Sequence, residues 1–94
     1  MVELVAWLED RNPGVDFWVT KRGDLLKLTY LTGDDVDPFM RDLAAAAEEL
    51  GKTVAVDATR EMEGFYAGHG FVKNAGRHAD EDIDERMYRP PDAA

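Results

Sequence analysis

The chain has 94 residues, 45% of them hydrophobic, a formal net charge of −9 and no cysteine. Such a length suits one domain and is too short for two independent cores, and the missing thiols exclude a disulfide framework and any cysteine-based zinc or iron–sulfur site. Residues 1–33 carry five acidic and four basic groups and residues 34–94 carry fifteen and seven, so the acidic excess lies in the C-terminal two-thirds. That field repels phosphate backbones and anionic lipid, which argues against direct nucleic-acid binding, and it either simply keeps the chain soluble or favours partners with a basic surface. The apolar runs are too short to span a bilayer and Met1-Val2-Glu3 does not open a signal peptide, so a cytoplasmic protein without membrane insertion is expected.

In chain order, "VELVAWLEDR" (2–11) places Val2, Val5, Ala6 and Leu8 or Leu4 on one side at helical spacing, and "NPG" then stops the helix. "VDFWVT" (15–20) and "LLKLTYL" (25–31) are rich in β-branched and aromatic residues, and "KRGD" between them predicts an antiparallel hairpin. In 32–52, Asp37 is the expected N-cap, Pro38 suits the first helical position, Phe39, Leu43, Ala46, Ala47 and Leu50 form the apolar stripe, and Gly51 ends the helix. "TVAVDA" (53–58) reads as a short apolar strand, and because helix and strand follow the hairpin directly, a β-α-β crossover with locally parallel strands is expected. Thr59 then caps a short helix carrying Met62, Phe65 and Tyr66, strand pieces follow at 71–74 and 86–90, and residues 90–94 form a frayed tail. One domain over 1–94 results: a small, three-layer-like α/β fold with about three helices and a mixed sheet.

"FYAGHGFVKNAGR" with "MYRPP" ten residues later resembles the C-terminal end of small GNAT-type N-acetyltransferases, especially the compact versions of phage-related genomes. The likeness covers about residues 15–91 in element order and is specific over 64–91. It implies a fold that holds acetyl-CoA where two parallel strands splay, with the pyrophosphate on a basic, glycine-rich loop at the next helix N-terminus. By the same resemblance Tyr66 is the tyrosine that protonates the departing thiolate. Where that loop belongs, this chain has "TGDDVD", with Asp34, Asp35 and Asp37 at the phosphate position and no arginine, lysine or glutamine. Like charge meeting a diphosphate, with Pro38 lacking an amide, leads us to expect no cofactor.

The remaining candidates are modest. His69 and His78 are the two histidines, with no spacing that suits a metal. Asp80, Asp82 and Asp84 match the first ligand positions of a calcium loop, but Glu85 stands where the turn glycine belongs and Pro91 where the bidentate glutamate belongs. Asp80, Glu81, Asp82, Asp84 and Glu85 therefore read as a solvated acidic run. The expected function is a non-catalytic GNAT-like interaction module, of phage or mobile-element type, that binds and modulates a host protein. Its contact candidates are Asp34, Asp35, Asp37, the 80–85 run, Trp7 and Trp18. The alternatives are an acetyl-CoA-dependent N-acetyltransferase using Tyr66, and an acidic mimic of DNA; the small core also admits a homodimer or a partner that completes the sheet.

Overall fold

A computed structural model describes residues 2–74 and 85–91. The elements are α1 (Val2–Arg11), β1 (Val15–Arg22), β2 (Leu25–Gly33), α2 (Asp37–Leu50), β3 (Thr53–Val56), a 3₁₀ turn (Arg60–Met62), α3 (Glu63–Ala67), β4 (Val72–Lys73) and β5 (Met87–Arg89). The strands form one mixed sheet in the order β1-β2-β3-β5-β4. As expected, β1 and β2 are an antiparallel hairpin, and β2 runs parallel to β3 through the α2 crossover. β5 slots between β3 and β4, antiparallel to both. Among the described residues no helix is long and apolar enough to cross a membrane.

The hairpin turns on Gly23-Asp24, with Gly23 at φ +61°, a conformation that suits a two-residue turn beginning with glycine. Farther along, Trp18 faces Tyr30 while Val19 faces Leu28, so Thr29 is an extra residue on β2. Its hydroxyl donates to the Trp18 carbonyl at 3.2 Å. This bulge resets the alternation, so that Leu26, Leu28 and Leu31 all contribute to the helix-side core, while Trp18 and Tyr30 stand on the other face.

The helices pack one face of the sheet. Leu8 of α1, Phe39, Met40, Leu43 and Ala47 of α2, and Tyr66 of α3 join Val19, Leu26, Leu28, Val54, Val56, Phe71 and Met87 in one core. Two details of the expected stripes change. In α1 the buried position is Leu8, supported by half-buried Leu4, while Ala6 is exposed. In α2, Met40 takes the place expected of Leu50, which is 53% exposed in the helix's last turn beside α1. That helix ends in a Schellman motif: Gly51, at φ +67°, donates to the Glu48 carbonyl at 3.2 Å, and Lys52 donates to the Ala47 carbonyl at 2.9 Å. The C-terminus of α1 is pinned to α2 by Asp42, which accepts from Arg11 Nε at 3.0 Å and from buried Asn12 Nδ2 at 3.1 Å. Burial raises the Asp42 carboxyl pKa, but the bonds from Arg11 and Asn12 outweigh it and hold the group below the ordinary carboxylate value.

On the far face, Leu25, Ala55 and Tyr88 form a second, smaller cluster. Beside it Glu85 is only 3% exposed and binds Lys27 Nζ at 3.0 Å and Arg22 Nη2 at 3.1 Å. Glu85 is therefore not part of a solvated acidic run: the chain entering β5 lays it against cations of β1 and β2. Burial raises its pKa, and the Lys27 and backbone hydrogen bonds, with the Arg22 charge, overcompensate and leave it lowered.

Candidate functional site

The end of β2 leads through exposed Asp34 and Asp35 into α2. The chain adopts helical geometry one residue earlier than expected, with Val36 as N-cap (φ −98°, ψ −1°) and Met40 donating to the Val36 carbonyl at 3.0 Å. Asp37 is thus not the cap. It is the first helical residue, too far along to turn its side chain onto the following amides. Its Oδ1 instead meets His69 Nε2 at 3.0 Å, while its own N–H donates to Asp35 Oδ1 at 3.3 Å. The positive end of α2 is therefore already faced by the chain's own carboxylates, and Pro38 contributes no amide there.

β2 and β3 pair only over Leu25–Leu28 and Thr53–Val56; β2 then runs on to Gly33 while β3 ends. In the gap lies a cavity of about 90 Å³ lined by Leu28, Thr29, Tyr30, Leu31, Val56, Asp57 and Tyr66. This is room for a few water molecules, well below the roughly 300–1,000 Å³ of a typical ligand pocket. The Tyr66 ring packs edge-on against Phe65 (5.2 Å) and Phe71 (5.4 Å). Burial pushes the Tyr66 phenol above its usual pKa, so it is neutral near pH 7.

The "AGHGF" segment closes α3 and opens β4. Phe71 and His69 donate their amides to the Tyr66 carbonyl at 3.2 and 2.9 Å, and Gly70 donates to the Ala67 carbonyl at 3.2 Å. Gly70 sits at φ +90°, and a Cβ there would lie 3.0 Å from Arg89 Nε. Arg89 explains the tight fit: buried, it donates through Nε to the His69 carbonyl at 3.0 Å and through Nη2 to Glu48 Oε1 at 2.7 Å. One guanidinium thus ties β5, the glycine turn and α2 together. Nothing in the sequence singled out Arg89; its only signal was its place in "MYR".

Of the aromatic candidates, Trp18 is 64% exposed and faces Tyr30, 56% exposed, across the hairpin. Asp16 lies two residues before Trp18 on the same face, and Asp34 and Asp35 follow the end of β2. Trp7 lies elsewhere, 41% exposed with the Arg11 guanidinium 5.1 Å above its ring, beside an open groove between α1 and α2 lined by Leu4, Ala45, Ala46 and Leu50. The structure pairs Trp18 with Tyr30 on the hairpin, puts Asp34 and Asp35 past the end of β2, and leaves Trp7 apart on α1. His78, Asp80, Glu81, Asp82 and Asp84 lie outside the described residues. Among the described residues no three His, Asp or Glu side chains gather as a metal site would require. Comparisons with models of known protein families, with curated proteins and with solved structures found no match.

Proposed function

We propose that the chain is a non-catalytic protein-binding module on a GNAT-like scaffold. Its contact face is the Trp18–Tyr30 pair with an acidic rim of Asp16, Asp34 and Asp35. The observation that carries this reading is the cross-strand pairing of two large aromatics that both stay more than half exposed on the sheet face away from the helices. Amphipathic aromatics are the residues that anchor interfaces, and scattered single ones need no explanation, whereas a facing pair makes a contiguous patch. The carboxylates beside it select a basic partner surface. The resemblance to phage-type proteins points to a host protein as that partner.

Support for a non-catalytic role comes from the α2 N-terminus, where the carboxylates of Asp35 and Asp37 lie at the helix end on which the resemblance would put a phosphate. The competing reading, an active N-acetyltransferase, is favoured by one observation: β3 ends while β2 runs on, which leaves a small cavity beside Tyr66. Titration calorimetry with acetyl-CoA separates the two. No binding, or binding only in the millimolar range, is expected, and micromolar binding lost on Tyr66→Ala overturns the proposal. The binding face is tested by capture from a host lysate with immobilised wild type and with a Trp18→Ser/Tyr30→Ser double variant. A specifically retained basic protein should be lost in the variant, and equal retention rejects this face.

A further inference from the structure

Alternation along β1 puts Asp16, Trp18, Thr20 and Arg22 on the sheet face away from the helices, and the register sets Tyr30 directly across from Trp18 and Thr32 across from Asp16. Two strand positions separate the carboxylate from the indole, about 7 Å along the backbone. We propose that Trp18 and Asp16 together take one arginine side chain of a partner, its guanidinium stacked on the indole and its N–H groups on the carboxylate. The inference rests on the contact face proposed above and says what that face selects.

Neither group is engaged within the chain. Among the described residues no cation pairs with Asp16, and no aromatic ring or cation lies against the Trp18 or Tyr30 ring. The cations of the hairpin are directed elsewhere. Arg22 and Lys27 are held by Glu85 toward the turn, and Lys21 projects on the helix side, into the groove beside α1.

The molecule shows the complete arrangement at another place. On α1 the Arg11 guanidinium lies 5.1 Å from the centre of the Trp7 ring while its Nε donates to Asp42 Oδ2 at 3.0 Å. Indole, guanidinium and carboxylate thus satisfy one another there, whereas β1 presents an indole and a carboxylate without a cation of its own. Arginine suits this pair better than lysine. A guanidinium is planar and weakly hydrated, so it can lie flat on a ring and still direct edge N–H groups to a carboxylate, which a compact, strongly hydrated ammonium does less well. Tyr30, 56% exposed across the hairpin, adds a second aromatic wall, and the acidic excess of the chain steers a cationic segment toward it.

Trp7→Phe leaves Trp18 as the single indole, whose fluorescence at low salt reports titration with the blocked peptide Ala-Arg-Ala-Arg-Ala and its lysine and citrulline counterparts; circular dichroism confirms folding. A saturable change with the arginine peptide is expected, with a dissociation constant of roughly 1 mM or below. The lysine peptide should bind at least about threefold more weakly, the neutral citrulline peptide should not saturate, and Asp16→Asn should weaken the arginine peptide by about threefold or more. The three peptides titrated into the wild type decide the matter if Trp7→Phe does not fold. No saturation up to roughly 10 mM, equal binding of arginine and lysine peptides, or an unchanged constant in Asp16→Asn overturns the assignment. Lysate capture separates this failure from that of the face: capture that still depends on Trp18 and Tyr30, beside peptides that bind alike, removes the arginine assignment alone.

Discussion

Two groups of aromatic residues behave in opposite ways. Phe65, Tyr66 and Phe71 come from the stretch that looks most like an active site, and they pack edge to edge against the core. Trp18 and Tyr30 come from an ordinary-looking hairpin, and they face solvent together. A suggestive motif can thus be spent on holding a junction, while surface for recognition arises where a strand has one covered face and one open face. Glu85 and Asp34 repeat the contrast among the acids: the first is buried between Lys27 and Arg22, the second is exposed at the end of the sheet.

The largest expected effect is in the buried group. Phe71→Ala should destabilise the fold by about 3–5 kcal/mol, since it removes a ring that is 4% exposed and leaves a cavity beside Tyr66. At about 4–8 °C per kcal/mol for a domain of this size, thermal denaturation measures it readily. A loss below about 1 kcal/mol would mean that the junction is not the structural clamp described.

Gly70→Ala follows, with an expected loss of about 1–3 kcal/mol, because a left-handed φ is strained for alanine and the new methyl meets Arg89. Chemical denaturation should show a shifted midpoint with an unchanged slope. Arg89→Met, which breaks the bonds to His69 and Glu48, should cost less stability in the Gly70→Ala background than in the wild type, because it also relieves the crowding, and this makes the pair non-additive.

The third effect is pH dependence. Asp42 and Glu85 both have folded-state pKa values below their ordinary ones of 3.8 and 4.5. Below those values the unfolded chain binds more protons than the folded chain, so stability rises with pH there. Their stabilisation is fully present above the ordinary carboxylate range and is lost as pH falls through it toward the lowered values. The melting temperature should drop steeply on acidification, and Glu85→Gln should flatten that drop while lowering stability at pH 7. An unchanged acid limb in the variant would show that Glu85 is not one of the titrating groups.

The smallest expected effect is in the exposed pair. Trp18→Ser with Tyr30→Ser should change stability by about 1 kcal/mol or less, the range of a cross-strand pair, while abolishing partner capture. Stability and binding would then separate cleanly between the two aromatic groups. A loss as large as that of Phe71→Ala would erase the contrast.

Much of the architecture was legible from local pattern. The glycine of "KRGD" and the alternation around it specify the hairpin; the stripe from Phe39 to Ala47 with Gly51 after it specifies α2; and a helix between two apolar strands implies the parallel crossover. The candidate site was less legible. The N-cap moved from Asp37 to Val36 because Asp35 and His69 offered partners to Asp37, and His69 is 32 residues away in the chain. The Thr29 bulge, which decides that Trp18 and Tyr30 face outward together, has no signature in "LLKLTYL".

What the amino-acid order determined by itself is whatever acts over a few residues: helix periodicity, turn chemistry, the absence of thiols and the acidic excess that limits the choice of partners. The tertiary structure alone decided which charges are spent and which are offered. Glu85 meets Arg22 across 63 positions and Arg89 meets Glu48 across 41, and such pairings depend on sheet order and register. A carboxylate reads the same in sequence whether water or a guanidinium surrounds it, and only the folded neighbourhood supplies the desolvation and the partner that distinguish the two.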